Sequence, residues 1–537
     1  MTEPRDRASR PTAAIIGGGV SGLTAAHVLS RSYDVTLFEA DERLGGHAHT
    51  HTVDTAAGQV RVDSGFIVHN ERTYPHLLRL FRELDIATRP TEMSMSITCD
   101  GCGLSWAGGR GAAAVLAQPR RAADPHFVRM LWEIPRFHRA ARALLHGPAE
   151  GMSPHDPTWG EFLEEGGFSS YFVAHFALPL VSCVWSSGDD DSLDYPARHL
   201  FAFLEHHGML SVSGSPTWRT VVGGSATYVD ALAARLGEVR TSAPVTSVTR
   251  HPDGVDVRTA AGVTSFDRAV VATHADQALA LLADATPQEE EDLAAIRYSR
   301  NATVLHRDAS LLPTAPRARA SWNYRSATCG GADRPRVTYW MNRLQGFDET
   351  GDQLLVSLNS ADDFAEGSVV ARMDYAHPVF TREAVAAAAR LRTAGGDRLA
   401  FAGAHLGWGF HEDGCRSGVE AAQRRDRREI DQGVVGERHD HGRACVVLHR
   451  TGQRHPAVGV HERRHRERRD DRGHAADRRE VGRAVAGVGG GAQAPVLGAG
   501  DVDHPPGLPV AALAGVVDVH GPSTERLVVE ASWEEWV

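Results

Sequence analysis

The stretch AAIIGGGVSGLTAAHVL, Ala13 to Leu29, constrains the fold of this chain more than any other. A short apolar run of the kind that forms a buried parallel strand is followed at once by Gly17-Gly18-Gly19-Val20-Ser21-Gly22, and then by a run of good helix formers. Strand, glycine turn and helix in that order make a G-x-G-x-x-G dinucleotide-binding fingerprint. Gly17 permits the tight turn, Gly19 lets the backbone approach a pyrophosphate, and Gly22 lets the helix lie close to the strand. Ser21 falls in the first helical turn, where free N–H groups and the positive dipole end face the phosphates. Seventeen residues beyond Gly22, DVTLFEA reads as the second strand and ends at Glu39. A carboxylate there can hold both ribose hydroxyls and would repel a 2′-phosphate.

The length of 537 residues favours two or three units with ample buried surface. With 57 basic against 68 acidic residues and a formal charge of −11, the chain offers no net positive footprint, so no nucleic-acid partner is expected. No apolar run is long enough to span a bilayer and no secretory leader is visible, so the expected location is cytoplasmic, with peripheral membrane contact left open. Six cysteines in such a length make no disulfide framework and fit a reduced compartment. Cys99 and Cys102 form a C-x-x-C around Asp100-Gly101. Asp-Gly between alternating apolar residues signals a tight hairpin, and a zinc site would need a second pair or histidines at ligand spacing. His47, His49 and His51 would share one face of a strand, but the polar segment they occupy has a use without metal, so no metal ion is expected.

Directly after the ribose carboxylate, DERLGGHAHT supplies Arg43 and the doublet Gly45-Gly46. This R-x-G-G resembles the flavin-containing amine oxidase superfamily, which includes phytoene desaturases and protoporphyrinogen oxidases. VDSGFIVHNERTYPHLLRLFREL and FAGAHLGWGFHEDGCRSGVEAA are similar to a bacterial group of FAD-dependent oxidoreductases often encoded beside cyclopropane-fatty-acid synthases. The resemblance runs from Ala13 to about Ala422 and implies FAD as cofactor. It also implies that Val245 offers backbone bonds to the adenine, that Gly223-Gly224 opens a helix from Ser225, and that FDRAVVATHAD is a return strand. That strand ends at Thr273-His274, where relatives commonly have Thr-Gly.

DRLAFAGAHLGWGFHEDGCRSGVEAA reads as a strand through Phe401, a turn at Gly403, and a helix beginning near Asp413. By resemblance this helix points its N-terminus at the flavin, and the backbone near Gly414 would stabilise the anion left after hydride uptake. Asp413 doubles as a helix cap. His405, Trp408 and His411 lie in the turn that would approach the ring. His405 and Trp408 are the candidate catalytic residues, Trp408 as a wall of the substrate pocket.

Between these halves HFVRMLWEIPRFHRAARALLHG has helical spacing, while SSYFVAHFALPLVSCVWSS, interrupted by His175 and Pro179, reads as a core helix. SWNYRS and RVTYWMNRL are strand-like and place Tyr324, Tyr339, Trp340 and Met341 either on the floor of a substrate cavity or in the core.

The expected architecture is α/β: a split FAD-binding Rossmann-type domain with an interposed α+β substrate domain. The FAD-binding pieces are 1–90, 216–285 and 396–423, and the substrate pieces are 91–215 and 286–395. The chain contains no lysine. Many amine oxidases of this superfamily hold a water between a lysine and flavin N5, so its absence weakens amine oxidation and favours the desaturase-like branches. The expected reaction is hydride transfer between flavin N5 and a carbon of a small hydrophobic, lipid-like or acyl substrate. The electron acceptor or donor could be oxygen, a quinone or a nicotinamide. The alternatives are a flavin amine oxidase and a non-catalytic FAD-binding remnant.

Residues 424–537 change texture. They hold 18 arginines and 18 acids, and no aromatic residue occurs from His411 to Ser532. Such a segment buries too little apolar surface to offset its ordering entropy. Its composition is that of GC-rich DNA read out of frame, which predicts a frame slip near codon 423 and a closing helix that breaks off there.

Overall fold

The computed structural model describes residues 10–147, 156–185, 192–211, 214–330, 336–347, 351–360 and 364–432, with backbone alone for 425–432. Thr12–Ile16 is apolar on both faces and accordingly forms the centre of a five-stranded parallel sheet. It pairs with Asp34–Phe38 on one side and Arg268–Val271 on the other, so that Ile15 lies between Leu37 and Val270. Glu238–Arg240 and Leu399–Phe401 add the outer strands. The two-residue alternation sends Ala13 and Ile15 into a core with the helix Val20–Leu29, and Ala14 and Ile16 into another core. The second core is shared with the antiparallel strands Ser247–His251, Gly254–Thr259 and Gly262–Phe266. Each fully buried aliphatic side chain there is worth about 1.5–3 kcal/mol over its exposed state.

A mixed seven-stranded sheet runs in the order Val369–Pro378, Tyr298–His306, Leu355–Leu358, Arg336–Trp340, Trp322–Ser326, Met95–Cys99 and Leu104–Gly108. Trp322–Ser326 and Met95–Cys99 are parallel neighbours, and the other pairs are antiparallel. The helices Pro125–His146, Leu178–Trp185 and Ala197–His206 share its core. Phe137 of the first helix meets the rings of Trp159, Phe172, Phe176 and Phe201 at centroid distances of 5.5 to 6.1 Å. This is the expected α/β architecture, with a parallel sheet assembled from separated pieces of chain and a mixed sheet with helices interposed between them. No helix among the described residues is long and apolar enough to cross a membrane.

Three local features differ from the sequence expectation. The Asp-Gly hairpin exists, but Cys99 pairs with Leu104, so four residues rather than two form its loop. The apolar stretch around His175 is a short helix, a π turn Val173–Ala177 and the helix Leu178–Trp185. Pro179 has no N–H for the carbonyl four residues back, which suits a locally widened turn. The closing helix is His411–Gln432, so its backbone passes codon 423 without a break. The remainder of the 424–537 segment, from residue 433 onward, lies outside the described residues.

Candidate active site

A cavity of about 350 Å³ opens where the glycine turn, the Gly45-Gly46 doublet, the return segment Ala272-Thr273-His274 and the start of the closing helix converge. Of the residues expected from sequence, Gly17, Gly19, Ser21, Gly45, Gly46, Gly403 and His405 line it. Gly22, Glu39, Arg43, Val245, Trp408, Asp413 and Gly414 do not.

The three fingerprint glycines are required for different reasons. Gly17 has φ +106° and donates its N–H to the Phe38 carbonyl at 2.8 Å, and a Cβ there would lie 2.7 Å from the Ala272 oxygen. A Cβ on Gly22 would lie 1.9 Å from the Gly17 oxygen. At Gly19 a Cβ would meet nothing within 4 Å. The first and third are therefore demanded by the protein's own packing, and the second by nothing in the protein. Room that the chain leaves unused beside a helix N-terminus fits the pyrophosphate of FAD.

Glu39 stands at the end of its strand and accepts from Gly18 N at 2.6 Å and Asp41 N at 2.9 Å. A carboxylate has about four acceptor positions, so each oxygen keeps capacity for a ribose hydroxyl. Val245 is half-buried two residues beyond Ala243, whose N–H donates to the Glu39 carbonyl at 2.9 Å. Arg43 acts through the doublet, donating to the Gly46 carbonyl at 2.8 Å. Directly after the doublet, His47 lines the cavity and has a buried Nε2 with no hydrogen-bond partner among the described residues. Such an atom costs about 1–3 kcal/mol when left unpaired, so a polar ring edge of a flavin would relieve it.

The closing segment required correction at two residues. Gly414 is not an available donor: its N–H bonds to the Phe410 carbonyl at 3.0 Å, and its missing Cβ would lie 2.6 Å from Val20 Cγ1. It is a packing position where two helices cross, and the N–H groups without a helical partner are those of His411, Glu412 and Asp413. Asp413 caps the helix start, accepting from Phe410 N at 3.1 Å and from Arg416 at 2.9 Å. Burial pushes its pKa up to about 6 against the pull of Arg416. Trp408 turns away from the cavity, toward the rings of His206 and Phe203 at 5.6 and 6.1 Å. Its carbonyl accepts from Trp185 Nε1 at 3.0 Å. The aromatic walls instead include Trp185, Phe203, Trp322, Tyr339 and Phe410. Tyr324 and Met341 are core, and Trp340 donates its Nε1 proton to Gln353 at 2.8 Å.

Six histidines line the cavity: His47, His207, His274, His377, His405 and His411. Burial lowers the pKa of each, to about 4 for His207 and His377 and to about 3 for His405 and His411. All six are uncharged at neutral pH, and no carboxylate or arginine belongs to the described lining. His411 stacks on Phe66 at 3.8 Å and pairs through Nε2 with Tyr228 Oη at 2.7 Å. The strand after the doublet begins only at Thr50, so the three early histidines do not converge: His49 and His51 are 4.0 Å apart, whereas His47 faces Tyr375 and His377.

Sequence reasoning passed over Asp63. Its buried carboxylate accepts from Thr50 Oγ1, Ser225 N, Ser225 Oγ and Gln345 Nε2 at 2.5 to 2.9 Å, tying the start of the helix Ala226–Ala233 to the strand pair Thr50–Thr55 and Gly58–Asp63 and to the turn Asn342–Gly346. An acid ending the apolar alternation of GQVRVD was the available signal.

The sequence matches the family described as flavin containing amine oxidoreductase over residues 20–306, more than half of the chain. Polyamine oxidase 5 of Oryza sativa subsp. japonica is 54% identical over 44 residues, which are 8% of this chain and 9% of that protein. Tryptophan 2-monooxygenase of Allorhizobium ampelinum is 52% identical over 44 residues, 8% of this chain and 6% of that one. The chain thus matches less than a tenth of the length of these curated relatives. Among solved structures, cyclohexylamine oxidase from Brevibacterium oxydans IH-35A aligns with a TM-score of 0.57 at 16% identity, covering 78% of this chain and all of that one. A fatty acid isomerase from P. acnes aligns with a TM-score of 0.56 at 15% identity, covering 78% of this chain and 99% of that one. With the glycine cradle, the converging helix N-termini and the match over most of its described length, the chain belongs to the flavin-containing amine oxidoreductases and takes FAD as its cofactor.

Proposed function

We propose that this protein catalyses hydride transfer between flavin N5 and a carbon of an uncharged, hydrophobic substrate of acyl-chain type. The observation that carries the reading is the cavity lining: aromatic walls, neutral histidines, and no charged side chain among its described residues. A cationic amine entering such a site would lose hydration without gaining a counter-charge, a loss of several kcal/mol per ion. An apolar chain gains about 25 cal/mol for each Å² it buries. The absence of lysine from the chain argues in the same direction.

When bound, FAD supplies the two-electron acceptor or donor. The chain's own contribution is to bind, orient and dry the site. Trp185, Phe203, Trp322, Tyr339 and Phe410 exclude water. With its pKa lowered to about 3, His405 is a neutral imidazole at neutral pH, carrying a single ring N–H, and is far from the range that suits a general base. It acts as a neutral polar wall of the cavity.

The test is anaerobic mixing of the FAD-loaded protein with an acyl methyl ester, or of the dithionite-reduced protein with its unsaturated counterpart. Flavin bleaching by the first or reoxidation by the second is expected. Rapid bleaching by cyclohexylamine or putrescine, with no response to either ester, would overturn the proposal in favour of amine oxidation. A flavin that responds to dithionite alone would point to a non-catalytic remnant.

A further inference from the structure

The hairpin loop read from sequence as a metal-free turn meets two distant residues in the fold. Cys99 ends its strand, and Cys102 follows in the loop before Leu104–Gly108. Cys329 lies three residues beyond the parallel neighbour Trp322–Ser326, in which Ser326 is opposite Cys99. His175 arrives from the π turn Val173–Ala177. The four potential ligand atoms all lie within 4.8 Å of one another.

From this geometry we infer that Cys99, Cys102, His175 and Cys329 form a tetrahedral site for one zinc ion, separate from the flavin cavity. Cys99 Sγ and Cys329 Sγ are 3.6 Å apart, and Cys102 Sγ and His175 Nε2 are 3.5 Å apart. A tetrahedron with zinc–sulfur bonds of about 2.3 Å and a zinc–nitrogen bond of about 2.0–2.1 Å has edges of about 3.8 and 3.5 Å. All three cysteines are free thiols. The His175 ring is already oriented for ligation. Its Nδ1–H donates to the Tyr171 carbonyl at 2.9 Å, which leaves the Nε2 lone pair facing the sulfurs.

The surroundings hold the cysteines in place. Asp100 N donates to the Ser326 carbonyl at 2.9 Å, and Arg325 Nε grips the Asp100 carboxylate at 2.9 Å. Gly103, at φ +67°, turns the chain back after Cys102, and Arg121 donates to the Cys102 carbonyl. Three thiolates and an imidazole select a soft divalent ion and fill a tetrahedron, with no position left for water or substrate. None of the four residues lines the flavin cavity. The ion's task is therefore structural: it ties the edge hairpin of the seven-stranded sheet to the next strand and to the helical layer.

The experiment is metal analysis by mass spectrometry on full-length protein prepared with added zinc and no metal-affinity step. It compares wild type with Cys329→Ser, Cys183→Ser and Cys445→Ser. About one zinc per wild-type chain is expected. Cys329 is exposed, so Cys329→Ser should fold and retain FAD while losing at least tenfold in zinc occupancy. The Cys183 and Cys445 variants should keep the metal. Cobalt loaded in place of zinc should give the intense visible bands of a tetrahedral thiolate site in wild type and a weakened sulfur-to-metal band in Cys329→Ser.

Three results would overturn the inference. These are sub-stoichiometric zinc without cobalt bands, zinc retained unchanged by Cys329→Ser, and a Cys99–Cys329 disulfide in freshly isolated protein. Because the readout is metal content, its failure leaves the flavin assignment untouched.

Discussion

Gly19→Ala separates cofactor binding from folding. The residue has φ −72° and ψ 179°, which alanine adopts freely, and its added Cβ would meet no protein atom within 4 Å. The apoprotein should be as stable as wild type, or about 0.4–1 kcal/mol more stable through a less flexible unfolded chain. In the complex the methyl group occupies the space through which the pyrophosphate reaches the backbone. Overpacking of this kind costs about 1–3 kcal/mol. At about 1.4 kcal/mol per factor of ten, FAD should bind about 5- to 150-fold more weakly. Gly22→Ala should behave oppositely: its Cβ would lie 1.9 Å from the Gly17 oxygen, so the apoprotein itself should melt several degrees lower. Differential scanning fluorimetry on both apoproteins and titration with FAD by flavin fluorescence give the two quantities independently. A Gly19→Ala protein that binds FAD as tightly as wild type, or that has lost stability without it, would refute the assignment of this turn.

Asp63 has its pKa raised to about 6 by burial, so its contribution to stability is complete below its unfolded value of 3.8 and is lost as pH rises through about 6. The shift corresponds to about 3 kcal/mol; urea unfolding should show Asp63→Asn flattening the pH dependence between about pH 4 and 7, and an unchanged slope would exclude Asp63 as its source. Tyr228→Phe deletes the hydroxyl paired at 2.7 Å with buried His411 Nε2 and should cost about 1–3 kcal/mol in thermal unfolding. Because His411 titrates at about 3, this loss should be equal at pH 5 and pH 8, within about 0.5 kcal/mol. A loss confined to one end of that range would show that the ring is charged.

What was legible in the sequence is what sequence neighbours enforce. Strand, turn and helix from Thr12 to Leu29 are contiguous, so the tasks of Gly17, Gly19 and Gly22 follow from local geometry alone. The acid at Glu39 is legible because the length of one βαβ turn fixes where the second strand must end. Misreadings occurred wherever a side chain's partner is distant in the chain. Gly414 looks like an anion donor until Val20, from the other end of the fold, is laid against it. Trp408 looks like a pocket wall until Phe203 and His206 take its ring. The hairpin that carries Cys99 and Cys102 was legible, whereas the nearness of His175 and Cys329, which arrive from distant segments, was not. Asp63 was missed because the donors that justify burying it, Ser225 and Gln345, lie on other elements.

The closing helix explains why two segments at opposite ends of the described chain must act together. Gly414 and Gly418 lie one turn apart on one face of His411–Gln432. A Cβ on Gly414 would strike Val20 Cγ1 at 2.6 Å, and one on Gly418 would strike the Ser21 carbonyl at 2.4 Å. Their absence lets the closing helix lie against Val20–Leu29, with Thr24 Oγ1 and Cys415 Sγ 3.7 Å apart at the crossing. Both helices therefore begin at the same cavity, the first through Val20 and Ser21 and the second through His411. Each N-terminus carries roughly half a positive charge, stabilising an adjacent anion by about 0.3–1 kcal/mol, and by up to about 2 kcal/mol where solvent is excluded. The first lies at the glycine cradle that fits the pyrophosphate. The second opens onto the remainder of the cavity through His411, where the first-turn acids Glu412 and Asp413 offset its positive end, so the first helix is the main source of positive potential. The cavity can thereby favour an anionic cofactor and still present only neutral walls to a substrate, and neither helix could do this if the small residues at their crossing were replaced by larger ones.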